Sequence, residues 1–245
     1  MIILGDIGNT ETKICLVKNN KIIKKFLIPS KGKKIKILDK HFRKFNFSKL
    51  KKMLFCSVVP STFKELKNYF KKKTKIKCFE LKELNLRSIL KIDVNYKQVG
   101  SDRLANAISV SSKNKNFVIL DFGTATTFDV LIGKNYKGGI ISPGINLSLN
   151  TLSDKASLIP KINLKKMSKV IGKDTKSAVR SGFFWGYAGL IDNVINLIKK
   201  ETKKSFDVVI TGGFSKLYKN SIKTKVKQDF DITINGLIRA SKLIK

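Results

Sequence analysis

The sequence predicts an α/β protein built from two similar halves, because one pattern of segments occurs twice. Residues 3–17 read ILGDIGNTETKICLV, and residues 119–133 read ILDFGTATTFDVLIG. In each copy an apolar strand ends in an aspartate, turns at a glycine, passes hydroxyl side chains and becomes apolar again. Each copy also opens a series of three strand-like runs that continues with alternating helical and strand-like patterns. We therefore place a boundary near residue 114 and predict half-domains at 1–113 and 114–245.

The elements of the first half follow from hydrophobic periodicity and from turn and cap residues. Short apolar runs bounded by turn residues predict strands at 2–7, 12–17, 21–28, 53–59 and 75–81. Amphipathic spacing predicts helices at 41–52, 61–73 and 100–113. Pro60 and Ser61 start the second of these helices, and Ser101 or Asp102 lies near the cap of the third.

The second half repeats this order after a polar linker at 112–116. Strands are predicted at 117–122, 126–133, 136–142 and 207–213. Helices are predicted at 144–157, 174–203 and 233–244. The three opening strands again form a meander, which supports the duplication.

Composition limits the class of protein. The chain has 245 residues, and 42% of them are hydrophobic, which is enough for a substantial core. Its longest uncharged apolar stretch, 182–191, is about half the length of a membrane span. Asp6 interrupts the first apolar run and no basic segment precedes it, so we expect no signal peptide. Three widely spaced cysteines are typical of buried thiols in a reduced, cytoplasmic compartment, and His41 is the only histidine, which excludes clustered histidine sites.

The formal net charge of +34 raises the question of a nucleic-acid partner. Only five of the 51 basic residues are arginine, the residue that recognises bases and phosphates through paired hydrogen bonds. The lysines are spread through predicted loops and helix faces and form no single stripe with interleaved aromatic residues. This pattern is typical of solvated lysines, so we expect no specific nucleic-acid partner. Any DNA binding should be weak, independent of sequence and lost at moderate salt.

The first repeated turn contains the residues that a phosphate site needs. Gly8, Asn9 and Thr10 can direct backbone N–H groups and a hydroxyl at phosphate oxygens. Asp6 ends the preceding strand and can hold a cation that neutralises phosphates, and Lys13 can add a positive charge. One such hairpin alone would be an ordinary turn, but two matched copies favour a phosphate clamp with one turn on each side. The sequence contains no G-x-x-x-x-G-K-[ST] motif, which excludes a P-loop.

Five motifs give the chain a resemblance to a known family. DIGNTETK begins at Asp6, GSDR at Gly100, DFGTATT at Asp121, GGIISPG at Gly138 and TGGF at Thr211. They occur in the order and spacing of the type III pantothenate kinases of the actin-like ATPase superfamily, and the resemblance covers nearly the whole chain. It implies duplicated actin-like (ribonuclease H-like) half-domains, each with a mixed sheet flanked by helices. It also implies ATP-dependent phosphorylation of pantothenate to 4'-phosphopantothenate, the first step of coenzyme A biosynthesis.

The resemblance implies ATP contacts in both repeated turns. In the first turn the expected ATP-binding residues are Asp6, Ile7, Gly8, Asn9, Thr10, Glu11, Thr12 and Lys13. In the second turn Thr124 resembles an ATP contact, and Asp121 resembles the ligand of a monovalent cation, potassium or ammonium. A divalent cation such as magnesium is expected with ATP. The segment from Thr211 to Gly213 resembles the loop on the adenosine side.

The GSDR motif resembles the pantothenate-binding segment of the family, formed here by Gly100, Ser101, Asp102 and Arg103. Asp102 is the expected proton acceptor, because a primary alcohol must lose its proton as it attacks the γ-phosphorus. Arg103 can pair with the substrate carboxylate through two hydrogen bonds. Without the other motifs, Asp102 would be interpreted as an acid that stabilises the first turn of a helix, and Arg103 as an ordinary surface base.

The predicted helix at 174–203 carries small residues on one face. They recur at three- and four-residue steps: Thr175, Ala178, Gly182, Gly186 and Gly189. Each interior glycine costs about 1 kcal/mol relative to alanine, so another backbone is expected to pack closely here. The residues leave two partners open, the sheet of the chain itself or a second copy of the chain. The resemblance implies a homodimer in which Thr175 contacts pantothenate bound mainly by the other subunit.

One segment departs from the family pattern. The family has tyrosine seven residues before the glycine of GSDR, where this chain has Asp93, and Tyr96 stands where proline is usual. No role is therefore assigned to the upstream wall of the substrate pocket. Two other functions stay open: a regulatory accessory or nucleic-acid-binding homologue of the same family, and an actin-like kinase or phosphatase for another small acid. The intact acids of the motifs favour catalysis.

Overall fold

The computed structural model describes residues 1–32 and 34–244, whose contacts divide them into two units. Unit 1 comprises Met1–Ser111, Lys134–Tyr136 and the C-terminal segment from Asp231. Unit 2 comprises Ser112–Gly133 and Lys137–Phe230. The division between Ser111 and Ser112 lies beside the boundary that the sequence predicts near residue 114.

Strands and helices alternate along the chain after each opening meander. The strands are β1 (Ile2–Ile7), β2 (Glu11–Lys18), β3 (Lys21–Pro29), β4 (Lys52–Ser57), β5 (Cys78–Glu80), β6 (Lys91–Ile92), β7 (Asn116–Phe122), β8 (Ala125–Ile132), β9 (Asn135–Pro143), β10 (Asp207–Gly212) and β11 (Val226–Gln228). The α-helices are α1 (Lys34–Phe42), α2 (Pro60–Lys71), α3 (Ser101–Val110), α4 (Ile145–Lys155), α5 (Thr175–Thr202), α6 (Ser215–Tyr218) and α7 (Ile232–Ala240). Short 3₁₀ turns lie at Phe47–Lys49, Leu81–Glu83, Leu86–Ser88, Tyr96–Gln98 and Ser241–Leu243.

The sheet of unit 1 has the strand order β3-β2-β1-β4-β5. The meander β1–β3 is antiparallel. Strand β4 pairs in parallel with β1, and β5 pairs in parallel with β4, so the sheet is mixed. Strands β1 and β4 are apolar runs because they lie at the centre of the sheet, where Ile3, Leu4, Met53 and Phe55 are fully buried. Two-residue strand β6 pairs in parallel with Asn135 and Tyr136, which also belong to unit 1.

Unit 2 repeats this arrangement with the strand order β11-β10-β7-β8-β9. Strand β7 pairs antiparallel with β8 on one side and parallel with β10 on the other, just as β1 pairs with β2 and β4. Asp6 lies opposite Lys13, and Asp121 lies opposite Thr127, so each aspartate is at the same place beside its turn. The predicted duplication of a mixed sheet flanked by helices is therefore confirmed.

The C-terminal helix belongs to unit 1, although the sequence prediction assigned 114–245 to the second half. Helix α7 packs against α3 so closely that a Cβ at Gly236 would lie 1.8 Å from the carbonyl oxygen of Ala105. The Arg239 guanidinium donates to the carbonyl oxygens of Ser109 at 2.7 Å and Ser111 at 3.1 Å. Such long-range packing leaves no local signal, which is why a single boundary near 114 misses it.

The helix predicted at 41–52 is wrong. Helix α1 occupies Lys34–Phe42 and buries Leu38 and Phe42, and only a 3₁₀ turn at Phe47–Lys49 follows. The Asn46 side chain caps this turn by accepting the N–H of Ser48 at 2.9 Å, an interaction that competes with helix continuation. The phenylalanines that suggested a helical face pack instead as an aromatic cluster around Phe42.

Other boundaries differ by a few residues. The strand predicted at 75–81 is only Cys78–Glu80, because the Thr74 hydroxyl accepts the N–H of Ile76 in a turn at 3.2 Å. Ser101 and Asp102, predicted to lie near the cap of α3, are its first two residues, and the cap itself is Gly100. The helix predicted at 233–244 ends at Ala240 and continues as a 3₁₀ turn. No helix within the described residues is both long and apolar enough to cross a bilayer.

Candidate active site

The turn between β1 and β2 is a tight hairpin closed by the Gly8 N–H, which donates to the Glu11 carbonyl oxygen at 3.0 Å. A Cβ at Gly8 would lie 3.1 Å from that oxygen, so glycine suits the position. Asn9, Thr10 and Glu11 are exposed at the tip, whereas Ile7 and Thr12 are fully buried. The open N–H groups and hydroxyl at the tip are the features that bind phosphate oxygens.

Asp6 is the penultimate residue of β1, beside this turn, and its surroundings raise the pKa of its carboxyl group. Burial raises the pKa of the Asp6 carboxyl from 3.8 to about 6, and the negative charge of Asp102 adds to this rise. Lys13 lies opposite Asp6 on β2 and lowers the pKa, as does the thiol of Cys56, which donates to Asp6 Oδ1 at 3.5 Å. Two carboxyl groups, Asp6 and Asp102, therefore act on each other within unit 1.

The N-terminus of α3 shapes the position of Asp102. Its Oδ1 accepts the N–H of Arg103 at 2.8 Å, and a Cβ at Gly100 would lie 2.4 Å from that same oxygen. Glycine at the cap is thus what lets the carboxylate fold back over the start of the helix. Ser101 beside it is 2% exposed and donates its hydroxyl to Glu80, so its side chain is used inside the fold.

The environment of Asp102 suits a proton acceptor. Burial raises the pKa of the Asp102 carboxyl, while the N–H and the charge of Arg103 and the more distant Lys82 lower it in part. A raised pKa makes the ionised carboxylate a stronger base at neutral pH. A partly buried carboxyl close to a phosphate-type turn suits phosphoryl transfer to an alcohol.

Asp121 occupies the corresponding place in unit 2, beside the turn that contains Thr124. A Cβ at Gly212 would lie 2.7 Å from Asp121 Oδ1 and 2.6 Å from the Phe122 carbonyl oxygen, and Gly212 has φ +84°. Glycine therefore lets the backbone lie close to one carboxylate and to the Phe122 carbonyl oxygen, which accepts the N–H of Gly213 at 3.1 Å. Hard cations take oxygen ligands of this kind, so these residues fit the implied monovalent cation. Within the described residues no group of three His, Cys, Asp or Glu side chains is suited to a metal ion.

Thr124 is exposed at the tip of the second turn. A Cβ at Gly144, which caps α4, would lie 2.2 Å from the Thr124 carbonyl oxygen. Gly144, the last glycine of the GGIISPG motif, therefore supports the turn through close contact between the two backbones. Thr211 lies opposite Asp121 on the parallel strand β10, which brings the TGG segment to the same end of the sheet in unit 2.

The small-residue face of α5 is open. Thr175 is the first residue of the helix, is exposed, and follows the capping residue Asp174. A Cβ built at Gly182, Gly186 or Gly189 would have no described atom within 4 Å apart from the adjacent backbone of α5 itself. The alternative that these glycines pack against the chain's own sheet is therefore wrong.

Two residues of unit 1 near Asp102 were missed by sequence reasoning. Glu80 ends β5, accepts the Ser101 hydroxyl and also accepts the N–H of Lys82 at 2.6 Å. Lys82 lowers the pKa of Asp102. The available signal was an acid at the carboxyl end of a short parallel strand, the position where α/β sheets place functional groups.

Comparison with known proteins identifies the family. A family model of the type III pantothenate kinases matches residues 2–197. The chain belongs to the type III pantothenate kinase family. A type III pantothenate kinase from Pelagibacter ubique (strain HTCC1062) is 64% identical over 248 residues, which cover 100% of both chains. A type III pantothenate kinase from Sulfurihydrogenibium sp. (strain YO3AOP1) is 33% identical and covers 97% of this chain and 98% of its own.

Solved structures show the fold that this pantothenate kinase family member shares with other proteins. A Campylobacter jejuni protein described as a Baf family transcriptional activator superposes with a TM-score of 0.61 at 20% identity, over 98% of this chain and 97% of its own. A Sinorhizobium meliloti protein described as a 2-dehydro-3-deoxygalactonokinase gives a TM-score of 0.62 at 10% identity, over 100% and 99%. At such identities the likeness concerns the fold alone.

Replacing Asp6 with asparagine is expected to stabilise the protein without nucleotide. Because burial raises its pKa in the folded state, ionisation of Asp6 destabilises the fold as the pH rises through about 6, and below about 4 this penalty is absent. Urea unfolding should give Asp6→Asn a gain of about 3 kcal/mol at pH 8 and less than about 1 kcal/mol at pH 4. The exposed Asp154→Asn on α4 is the control and should change neither value. Equal effects of Asp6→Asn at both pH values would contradict the raised pKa.

Proposed function

We propose that this protein transfers the γ-phosphoryl group of ATP to pantothenate and forms 4'-phosphopantothenate in the first step of coenzyme A biosynthesis. The observation that carries the proposal is the partly buried Asp102, whose charge raises the pKa of Asp6 beside the first turn of unit 1, in a chain of the type III pantothenate kinase family. A cytoplasmic location follows from this metabolic role.

The proposed roles divide between the two motifs of unit 1. The exposed tip Asn9–Glu11 and Lys13 bind the phosphates through N–H groups, a hydroxyl and an ammonium group. Asp102 accepts the proton of the primary hydroxyl as that oxygen attacks the γ-phosphorus. Arg103 pairs with the pantothenate carboxylate, because a guanidinium can donate two parallel hydrogen bonds to it.

Two cations complete the proposal. A monovalent cation, potassium or ammonium, is held by the Asp121 carboxylate, and the oxygen donors beside Gly212 support this assignment. A divalent cation such as magnesium enters with ATP, near Asp6, and supplies charge neutralisation on the phosphates. Each cation offsets the negative charge that its own carboxylate would present to the phosphates.

The open face of α5 supports a homodimer. Glycines at 182, 186 and 189 are exposed, so the backbone of a second subunit can approach α5 closely at these positions. Such packing would offset the helix stability that interior glycines cost. The segment before α5 lies against the start of this helix, since Gly172 packs against the backbone of Ala178. In this segment Val170 and Ile171 are 66% and 84% exposed. Covering this face with a second copy buries that apolar surface and brings Thr175 to the partner's substrate.

A bulky side chain on this face should abolish the dimer and leave the subunit folded. The Gly186 position opens onto free space, so Gly186→Phe is compatible with the isolated subunit. Sedimentation should show a monomer for Gly186→Phe, with unchanged far-ultraviolet circular dichroism, and a dimer for the wild type. Lys64→Phe, at an exposed position on α2 and away from this face, is the control and should remain dimeric. A dimeric Gly186→Phe would refute this face as the interface.

A substrate panel tests the proposed function. Initial rates of ADP formation are measured with ATP, magnesium and potassium, and with pantothenate, other small hydroxy acids or sugar acids as acceptors. The proposal predicts that pantothenate has the highest kcat/KM of the panel. A higher kcat/KM for another acid would favour an actin-like kinase of different specificity. Absence of turnover with every acceptor would favour a regulatory role.

A further inference from the structure

A buried lysine lies behind the phosphate turn. Lys34 begins α1 and is 4% exposed. Its ammonium group donates to the Ser30 carbonyl oxygen at 2.8 Å and to the Thr62 hydroxyl at 3.4 Å, and it lies 3.1 Å from Glu65 Oε2. One ammonium group thus connects the end of β3 with helix α2.

Ser30 links this ammonium group to the turn. Its N–H donates to the carbonyl oxygen of Thr10 at 3.0 Å, and its hydroxyl lies 2.9 Å from the hydroxyl of the fully buried Thr12. Its carbonyl oxygen accepts from Lys34 and also from the Thr62 hydroxyl at 2.8 Å. Ser30 therefore contacts the first turn through its N–H and hydroxyl groups, and Lys34 and Thr62 fix its carbonyl group.

Stability alone does not explain the buried charge. Taking an ammonium group out of water is costly, and an apolar side chain of similar length often replaces a buried ion pair without loss. The partner Glu65 keeps 52% of its side chain exposed, so it needs no buried partner to stay solvated. The Ser30 carbonyl oxygen would still accept from Thr62 if Lys34 were absent. The ammonium group therefore adds a second, charged donor to the Thr62 hydroxyl, and the two donors together fix the direction of the Ser30 carbonyl group.

We propose that Lys34 is a positioning residue for ATP, acting through Ser30 on the turn that contains Thr10 and Thr12. This inference rests on the proposed function only in taking that turn as the phosphate-binding turn. The ammonium group fixes the Ser30 peptide, and Ser30 fixes the backbone of Thr10 and the side chain of Thr12. The exposed N–H groups of the tip then keep the orientation that phosphate oxygens need, since small displacements of binding groups strongly weaken a site.

The test measures ATP binding directly and separately from turnover. Lys34→Met keeps the length of the side chain and removes the charge, and Lys36→Met, exposed on the same helix, is the control. Calorimetric titration with a non-hydrolysable ATP analogue should give a Kd raised about tenfold or more in Lys34→Met. The Kd of Lys36→Met should stay within about twofold of the wild-type value. In steady-state assays Lys34→Met should raise the KM for ATP and leave the KM for pantothenate unchanged.

A purely structural role predicts a different result. It would lower the thermal midpoint and the active fraction and leave the Kd of the remaining folded protein unchanged, which would overturn the inference. Ser30→Ala removes the hydroxyl link to Thr12, and its effect on Kd should combine with Lys34→Met less than additively, because both act through one residue. Additive effects would also contradict the inference.

The experiment also distinguishes a folding failure of the variant and a failure of the proposed function from a failure of the inference about Lys34. If Lys34→Met does not fold, Lys34→Arg carries the test: it keeps the charge, changes the donor geometry, and should raise the Kd by about threefold or more. An unchanged Kd in Lys34→Arg would then overturn the inference. If the wild type binds the ATP analogue but does not phosphorylate pantothenate, the proposed function fails while the Kd comparison still decides the role of Lys34.

Discussion

Replacing Asp102 with asparagine is expected to lower kcat by about 10²- to 10⁴-fold, the usual contribution of a general base. Asparagine keeps the shape of the side chain and can still lie over Gly100, but it cannot accept the proton of the attacking hydroxyl. Binding of ATP should survive, because the phosphate turn is formed by β1 and β2 and not by α3. The measurement is kcat with saturating ATP and pantothenate, together with the Kd of a non-hydrolysable ATP analogue.

Asp154→Asn, on the exposed surface of α4, is the matched control and should leave kcat unchanged. Because burial raises the pKa of Asp102, the wild-type kcat should also fall at acid pH as this carboxylate becomes protonated. The part of that limb due to Asp102 should be absent from the residual activity of Asp102→Asn, whereas the part due to Asp6, whose pKa is raised to about 6, should remain. Near-normal turnover in the variant would remove Asp102 from the mechanism.

The second large effect concerns the monovalent cation. Activity should collapse in buffer that contains only sodium or no monovalent metal ion, and should return when potassium or ammonium is added. The physical reason is repulsion, since the Asp121 carboxylate would otherwise face the charges of the polyphosphate in a partly dehydrated site. Asp121→Asn should weaken this dependence and raise the KM for ATP about tenfold, equivalent to about 1.4 kcal/mol of lost binding.

Asp207→Asn provides the control for Asp121. Asp207 lies at the other end of β10, and its ion pair with Lys115 leaves both side chains at least 60% exposed, so its removal should change little. Titration of each variant with potassium at constant ionic strength separates a specific site from general screening. A wild type that works equally well without potassium or ammonium would show that the assignment of Asp121 is wrong.

Most of the fold could be predicted from the sequence because local patterns determine it. The strands on both sides of each repeated turn are apolar runs bounded by turn residues, and their predicted bounds agree with β1–β3 and β7–β9 to within about two residues. The repeat itself indicated the duplication, because Asp6 and Asp121 are aligned in sequence and equivalent in the sheets. Motifs that lie at strand ends and helix starts were therefore located correctly on their elements.

The remaining features depend on contacts between distant residues. Phe42 and Phe45 have helical spacing, but the packing of Phe45 and Phe47 around Phe42 and the cap at Asn46 decide the local structure. The placement of α7 in unit 1 depends on Gly236 meeting Ala105, and the partner of Ser101 is Glu80, 21 positions earlier. Lys34 was one lysine among many in the sequence, and only its burial behind Ser30 sets it apart.

The identity of the reaction product tests the central claim most directly. The wild type is incubated with ATP, magnesium, potassium and pantothenate, and the products are analysed by phosphorus NMR and mass spectrometry. We predict one 4'-phosphopantothenate for each ADP formed, with the phosphoryl group on the primary hydroxyl. ADP formation that is independent of pantothenate, or pantothenate that stays unphosphorylated while another acceptor is modified, would contradict the account.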